Sequence, residues 1–348
     1  MKKSLLVGIA VILLAALVLT IPGCTKSSNT SGKEVVLREN LIHPATDYMA
    51  KYTQTMANRF NEKWAGKYKI TTHPGGALLG MAETLDGVRT GAVEISQFPP
   101  GVFSNTDVRF TSAEMPFLYT NIQANIAACE KMLPLFDEIM TQKFNQKPLT
   151  LWTATSLDLI CKKPIRTLDD FKGLKLMAIN PPTAAVISTF GGAAVSIDFP
   201  DAYDSIAKGV VEGGMFATTQ MTEYKMWEVA KYVIPIYMVP TFIVSSINLD
   251  VWKSLPKDVQ DSLLDEHQQM SRDLNALYDV LVTTNPDTLA ANGCDIYIVP
   301  KDERDRWHAA MQPWIDEKMN AMGDFGKKIQ KIADDINAKF PYIGYIEK

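Results

Sequence analysis

The stretch from Phe171 to Phe216 constrains the fold of this chain more than any other. Glycines and prolines divide it into short apolar strands that alternate with helices of about ten residues. Thr167 and Asp170 form an N-cap pair just before it, and Gly191-Gly192 ends the helix that Pro181 begins. This alternation predicts βαβ units and a parallel sheet, which is an α/β fold. Such sheets bind ligands at their strand ends, where three residues of this stretch fall: Asn180, Phe199 and Phe216.

Short motifs in this stretch and earlier in the chain carry a family resemblance. In this stretch they are Gly173-Leu174-Lys175, Gly191-Gly192-Ala193, Phe199-Pro200-Asp201-Ala202-Tyr203 and Gly209-Val210-Val211-Glu212-Gly213. Earlier in the chain they are His73-Pro74-Gly75-Gly76 with Leu79-Gly80, and Gly91-Ala92-Val93-Glu94-Ile95. Together they resemble the solute-binding proteins of TRAP (tripartite ATP-independent periplasmic) transporters, of the DctP type. The resemblance covers nearly all of the chain after an N-terminal leader.

The resemblance implies a two-lobed periplasmic solute-binding protein fold with hinge strands and one long helix that spans both lobes. Proteins of this kind bind a small organic solute between two closing lobes and deliver it to the membrane permease of a TRAP transporter. The resemblance implies neither an enzymatic reaction nor a cofactor. A receptor for another importer or for a sensor is the nearest alternative, and a cell-envelope enzyme is the alternative from a different class.

The N-terminus has the pattern of an export signal. Lys2 and Lys3 precede seventeen apolar residues from Leu5 to Ile21, a length that is short for a membrane span and typical of a signal peptide. Ile21-Pro22-Gly23-Cys24 resembles the lipobox of bacterial lipoproteins. We therefore predict a signal peptide at residues 1–23, lipidation of Cys24, and a flexible tether at 24–33. The expected location is the periplasm or the outer face of the cytoplasmic membrane, and an uncleaved anchor helix is the alternative.

Composition excludes several classes of function. Without Lys2 and Lys3 the chain has 33 basic residues against 39 acidic ones, a net charge of −6, and no basic patch indicates nucleic-acid binding. The roughly 325 residues after the leader exceed the usual size of one hydrophobic core, which favours two domains. Three cysteines remain after Cys24, and an odd, sparse set favours buried thiols over a disulfide framework: Cys129, Cys161 and Cys294.

The lobe boundaries follow from strands and prolines. Two predicted strands, Leu149–Ala154 and Leu157–Lys162, lead into the second lobe near Thr155, and two more flank Pro240, where the chain returns. A long amphipathic helix begins at Pro256, with a break or kink expected at Pro286. The predicted parts are lobe I at 34–154 plus 241–283, lobe II at 155–240 plus 284–330, and a C-terminal helix and tail at 331–348.

Sequence motifs for catalysis are missing. The four histidines lack metal-ligand partners at helical spacing, so no metal site is predicted. Neither a G-x-S-x-G nucleophile elbow nor a G-x-x-x-x-G-K phosphate loop is present. An enzyme is therefore the weaker class, although a site assembled from distant residues stays open.

Candidate ligand-binding residues follow from the resemblance. Typical members carry an arginine two residues after the lysine of the first motif, where its planar fork pairs with a ligand carboxylate, and this chain has Met177 there. A second arginine of some members corresponds to Leu157, and an asparagine corresponds to Phe216. Further positions that line the cleft in relatives match Asn40, Asn180 and Phe199.

These three apolar replacements predict a ligand that is less polar than a simple carboxylate, such as an aromatic compound, because a carboxylate facing them would be desolvated without a partner. The alternative is an organic acid that pairs with a different cation, for which Arg38 is the first candidate because it shares a strand face with Asn40. Aromatic residues near the lobe junctions could supply stacking surface, although each is more often a core residue: Phe98, Trp152 and Tyr237.

Overall fold

The computed structural model describes residues 33–342, so the predicted signal peptide, the lipidation site Cys24 and the tether up to residue 32 lie outside the described residues. Within this part of the chain nine strands form one sheet. In chain order they are β1 Val35–Leu41, β2 Tyr68–His73, β3 Ile95–Phe98, β4 Gln146–Cys161, β5 Lys175–Ala178, β6 Ala193–Ser196, β7 Gly213–Ala217, β8 Tyr232–Asn248 and β9 Asp295–Ile296.

Helices cover both faces of this sheet. They are α1 Tyr48–Lys63, α2 Thr84–Thr90, α3 Ile122–Lys143, α4 Pro181–Thr189, α5 Ala202–Ala207, α6 Thr218–Glu223, α7 Leu249–Ser254, α8 Lys257–Ala291, α9 Lys301–Ala321 and α10 Asp324–Asn337. Short 3₁₀ turns join several of them, including Val108–Glu114 after β3. Between residues 33 and 342, none of the helices combines the length and apolar character needed to span a bilayer.

The sheet consists of two parallel halves joined by two long antiparallel strands. Its order is β2-β1-β3-β8-β4-β7-β5-β6, with β9 paired to β8. The first lobe contains β1 to β3, in which β1 pairs in parallel with both neighbours. The second lobe contains β5 to β7, which also pair in parallel, as the central stretch of the sequence predicts. β4 and β8 run through both halves and pair with each other.

β4 and β8 differ from the prediction of two separate strands each. The chain bends within each strand without ending it, because the register of β4 with β8 shifts between Thr153 and Ser156 and the ladder then resumes. Thr155 has a φ of 75° and Tyr237 a φ of 56°. Pro240 is paired with Ser156 at the edge of this irregular segment, where a residue without an N–H is best tolerated.

α8 is longer than the sequence predicts. No break occurs at Pro286, since the helix continues through this proline to Ala291, and a kink there stays a prediction. A proline inside a helix removes one backbone hydrogen bond and costs about 3 kcal/mol. Burial of Val282 and Leu289 on either side of Pro286 holds the last turns in place against that cost.

The hydrophobic core shows how the two lobes share one sheet. On one face a single cluster of buried side chains runs from Phe98 in the first lobe to Leu176 in the second. The opposite face carries two clusters, one under α1 in the first lobe and one under α5 and α6 in the second. Side chains of α8 enter both clusters, Leu274 in the first and Leu289 in the second. The long helix therefore spans both lobes, as the resemblance implies.

Candidate ligand site between the lobes

The carboxyl ends of the parallel strands of the two lobes face each other. The ring of His43, which follows β1, lies 5.7 Å from the ring of Phe199, which follows β6. The backbone N–H of Tyr48 donates to Glu223 Oε1 at 2.9 Å, and the Tyr224 hydroxyl donates to Asp47 Oδ2 at 3.2 Å. Since strand ends of open α/β sheets form ligand sites, the space between these ends is the candidate site.

Three buried polar residues converge at this junction, and we call them the polar cluster: Glu114, Asn180 and Thr241. Glu114 ends the 3₁₀ turn after β3, Asn180 follows β5, and Thr241 lies in the middle of β8. Their exposed fractions are 0%, 6% and 4%. The side chains of Asn180 and Thr241 donate hydrogen bonds to the carboxyl group of Glu114, so the three residues form one buried network. Buried polar groups are nearly always paired, and this pairing links elements of both lobes at their junction.

Glu114 is a neutral carboxylic acid at pH 7. Burial raises its pKa to about 8, although the neighbouring side chains of Asn180 and Thr241 act in the opposite direction. Gly101 makes room for the carboxyl group, because a Cβ at this position would lie 1.7 Å from Glu114 Oε2. Neutral Glu114 offers one hydrogen-bond donor and an acceptor, while Asn180 Nδ2 offers donors.

Next to the polar cluster lies a buried apolar group of the second lobe that we call the apolar wall: Met177, Phe199 and Phe216. All three belong to the same buried cluster, beside α5 and α6. Met177 and Phe216 approach each other over Gly214, where an added Cβ would lie 2.8 Å from Met177 Cβ and 2.9 Å from Phe216 Cε2. Met177 stands three residues before Asn180 on the same strand end, which joins the wall to the polar cluster.

Leu157 and Phe98 lie on the other face of the sheet. Both are buried in the single cluster that also contains Leu159 and Leu176. Met177 belongs to the buried cluster on the opposite face, so Leu157 and Met177 lie on different sides of the sheet. The structure therefore does not bring together the three apolar replacements noted in the sequence. Only Met177 and Phe216 share a surface.

Trp152 and Tyr237 pack in the cluster of the first lobe, between the sheet and α8. Trp152 is fully buried, and its indole Nε1 has no hydrogen-bond partner among the described residues. Both residues flank the irregular segment of β4 and β8, where Tyr237 has a positive φ. They lie at the hinge of the predicted lobes, as core residues of the first.

Arg38 and Asn40 have local partners in the first lobe. Arg38 donates through Nε to Glu94 Oε2 and through Nη2 to Glu94 Oε1, both at 2.8 Å, and its side chain is 41% exposed. Asn40 accepts from the N–H groups of Leu78 and Leu79 through its Oδ1. The guanidinium group of Arg38 is therefore already paired with a carboxylate, and the side chain of Asn40 is hydrogen-bonded to the loop after β2.

A surface groove of about 630 Å³ runs between the lobes and meets the polar cluster at Asn180, whereas Glu114 and Thr241 lie behind its lining. Asn180 lines it, together with Met81 and Val102 of the first lobe and Ala184 and Ser188 of α4. The groove gives the strand ends a route to solvent. Within residues 33–342, no group of three or more His, Cys, Asp or Glu residues is arranged to hold a metal ion.

Sequence reasoning did not identify Glu114 and Thr241. A usable signal was present for Glu114, since it is the only charged residue between Arg109 and Glu130 and stands within an apolar stretch. A charge in such a stretch must be buried with partners or mark a site. Thr241 has no comparable signal, because threonine is common in strands.

Comparison with known proteins agrees with this architecture. The profile of the bacterial extracellular solute-binding proteins, family 7, matches residues 40–321. A solute-binding protein of Verminephrobacter eiseniae is 21% identical over 289 residues, which cover 82% of this chain and 85% of that protein. A Bordetella pertussis extracytoplasmic solute receptor binding pyroglutamic acid has a TM-score of 0.82 at 18% identity, with 86% of this chain and 99% of that one covered.

A second solved structure has the same fold. It is a TRAP periplasmic solute-binding protein from Shewanella oneidensis with bound succinate, with a TM-score of 0.80 at 16% identity, covering 87% of this chain and 99% of that one. These likenesses confirm the predicted two-lobed α/β fold. The family match covers most of the chain and identifies a receptor class, not an enzyme class. The chain belongs to family 7 of the bacterial extracellular solute-binding proteins.

Proposed function

We propose that this protein is an exported receptor that holds a small organic solute between its two lobes and delivers it to the membrane permease of a TRAP transporter. The observation that carries the proposal is the groove between the strand ends of the two lobes, with the buried polar cluster at the junction. A ligand between the strand ends would contact both lobes and link them. The family match supports the receptor class.

The proposed lobes have the boundaries predicted from the sequence, residues 34–154 with 241–283 and residues 155–240 with 284–330. The irregular pairing of β4 and β8 around Thr155 and Pro240 supports these boundaries. Contacts such as Tyr48 with Glu223 cross between the lobes and would break if the lobes opened. Binding energy would then come from enclosing the solute, and the closed form would be the one that the permease recognises.

The proposed solute has an apolar body and does not depend on an arginine for its recognition. Met177 stands where the resemblance implies an arginine, and it is fully buried in the apolar wall. Arg38, the alternative cation, is engaged by Glu94 and is half-exposed. The relatives described above bind pyroglutamic acid and succinate, which are not aromatic. An aromatic solute therefore stays a prediction, and the proposal requires only an apolar body.

Native mass spectrometry of the purified protein tests this function. We expect a bound small molecule that is released chemically unchanged, and a melting temperature that rises with its concentration. Mutation of the polar cluster should lower the bound fraction. Chemical turnover of the bound compound would instead support a cell-envelope enzyme.

A further inference from the structure

We propose that the groove between the lobes takes a solute without an acidic group, uncharged or cationic, whose hydrogen-bond donors face Asp198. This inference rests on the proposed function and adds the chemical class of the solute. It depends on the side chains that line the groove and on the helices that begin at the facing strand ends. In both places, within residues 33–342, the groups that usually bind an anion are missing or already in use.

The lining of the groove contains one charged side chain, and this side chain is acidic. The exposed carboxylate of Asp198, after β6, does not cap the 3₁₀ turn that begins at Phe199. None of the groove-lining residues in the described part of the chain is a lysine, arginine or histidine. The other polar side chains of the lining are neutral: Asn105, Asn180, Ser188 and Ser196. An anion in the groove would therefore meet a like charge and no cation.

The start of α4, which lines the groove, has no free N–H group for an anion. Pro181 and Pro182 occupy its first two positions and lack an N–H. The N–H of Thr183 donates to Asn180 Oδ1 at 2.9 Å, and the N–H of Asn180 donates to Thr183 Oγ1 at 3.2 Å. A helix N-terminus binds anions through its first N–H groups. In α4, prolines and a reciprocal cap remove these donors.

The start of α1, on the facing lobe, is occupied by acidic side chains of the protein itself. The N–H of Tyr48 donates to Glu223 Oε1 of the second lobe at 2.9 Å. The N–H of Met49 donates to Asp47 Oδ1 at 2.8 Å. Two carboxyl groups therefore fill the position at which an external anion would bind. Met177 stands where the resemblance implies an arginine, so a side-chain partner for an acid is missing there as well.

The same lining suits a solute with an apolar body and a donor group. Met81 and Val102 of the first lobe face Ile179 and Ala184 of the second across the groove, and they offer apolar contacts from both sides. Asp198 can accept from a hydroxyl, an amide N–H or an ammonium group. A neutral solute loses little on entering this surface, whereas a carboxylate loses its water without gaining a cation. Discrimination between an acid and its amide is therefore the expected signature.

Pairs of an acid and its amide test the inference: pyroglutamate with pyroglutamamide, and succinate with succinamide. The two acids are those bound by the relatives of the same fold described above, and each amide has nearly the same shape without the charge. Thermal shift and titration calorimetry of the purified protein would measure binding. We expect each amide to bind about tenfold more tightly than its acid, or better. Any molecule released from the purified protein by heating should migrate as a neutral or cationic species in capillary electrophoresis at pH 7.

Two substitutions and a matched control assign the discrimination to the groove. Asp198→Asn removes the like charge, and Pro181→Ala adds an N–H at the start of α4. The double variant should reduce the preference for amide over acid about threefold or more. Asp201→Asn changes an exposed aspartate that lies outside the lining of the groove and should leave the preference unchanged. The two single variants give the same comparison if the double variant is unstable.

Failure of this inference is distinguishable from failure of the proposed function. If an acid binds more tightly than its amide, if the released molecule is an anion, or if the double variant keeps the full preference, the solute class is overturned while the receptor function stands. If none of the probes binds, the charge of the released molecule decides. If none binds and no small molecule accompanies the protein, both the proposed function and this inference fail. A neutral or cationic released molecule, or a preference for amides that the double variant reduces, would support both.

Discussion

At the scale of single residues, Met177 has the largest consequence for the proposal of an apolar solute. Its side chain is fully buried against Phe216, and Gly214 between them leaves no space even for a Cβ atom. A guanidinium group at this position would need a carboxylate partner, which an apolar solute would not supply. A methionine where the resemblance implies an arginine therefore changes both the expected charge and the packing at this position.

The first prediction concerns this residue. Met177→Arg should weaken binding of the co-purified solute and lower the free energy of unfolding by several kcal/mol, because an unpaired buried guanidinium is costly. Calorimetric titration of the solute and chemical denaturation of the variant measure the two effects.

Arg38→Ala is the matched comparison. Its ion pair with Glu94 is partly exposed, and such pairs contribute little, so solute affinity should change less than threefold. If Arg38→Ala abolishes binding while Met177→Arg is tolerated, the solute is an organic acid held by Arg38 and the proposal of an apolar body is wrong.

At the scale of elements, β4 and β8 are the parts that join the lobes. Thr155 in β4 and Tyr237 in β8 both have positive φ values, which are unusual for a β-branched or bulky residue. Strained backbone of this kind persists where the surrounding structure enforces it, often at switch regions. We infer that these two residues mark the hinge, since they lie where the register of the two strands is irregular.

The second prediction tests how closely β7 packs on β4. A Cβ at Gly213 would lie 2.1 Å from the backbone oxygen of Ile160, and backbone cannot move aside as a side chain can. Gly213→Ala should therefore lower the free energy of unfolding by about 2 kcal/mol or more. Gly80→Ala is the control, because its nearest neighbour is the flexible end of Glu83 at 3.6 Å. Equal stability of the two variants in urea denaturation would contradict the prediction.

At the scale of the whole molecule, a contact between the lobes couples stability to pH. Burial, with a smaller contribution from nearby Asp47, raises the pKa of Glu223 to about 8. Glu223 accepts from the backbone N–H of Tyr48, and the Tyr224 hydroxyl donates to Asp47. Both hydrogen bonds join the first lobe to the second. The buried ring of Tyr278 from α8 lies near the same carboxylates, whose charges raise its own pKa further. Lys51 is the cation whose charge opposes the increase at Glu223.

The third prediction is the sign of this coupling. Glu223 is protonated in the folded state up to about pH 8 but ionises in the unfolded chain near its ordinary pKa of 4.5. Its stabilising contribution is complete below pH 4.5 and is lost as pH rises to 8, by up to about 1.4 kcal/mol per pH unit.

Between pH 6.5 and 8, the free energy of unfolding of Glu223→Gln should fall less steeply with rising pH than that of the unmodified protein. Glu114→Gln should have the same effect, because the pKa of Glu114 is also raised. This window lies above the pKa values of His43 and His308, which are both lowered by burial. Denaturation at several pH values, with Glu62→Gln as control, gives the slopes. An unchanged slope in Glu223→Gln would show that the acid is ionised in the folded protein.

The fourth prediction concerns anchoring and rests on the lipobox resemblance at Ile21–Cys24. Cys24→Ser should prevent lipidation, leaving the protein unprocessed or released from the membrane. Cell fractionation and intact-mass measurement of the mature protein provide the test. A membrane-bound variant of the wild-type processed length would exclude lipid anchoring at Cys24.

The sequence by itself determined the elements and the fold class. Short-range patterns set the alternation of strands and helices between Lys175 and Ala217, because glycine, proline and capping residues act within a few positions. The same patterns placed Asn180, Phe199 and Phe216 at strand ends. These are local effects, and they agree with the structure to within a few residues.

Only the tertiary structure decided which strand ends and which faces meet. It placed Leu157 in β4 and Met177 in β5 on opposite faces of the sheet, because the face that a side chain takes depends on the register between strands. It also decided that β4, β8 and α8 continue through positions where local rules predict breaks. The burial of the residues on both sides stabilises each element by more than a bulge or a proline costs. It also brought Glu114 next to Asn180 and Thr241, a proximity between residues 61 or more positions apart that no local pattern contains.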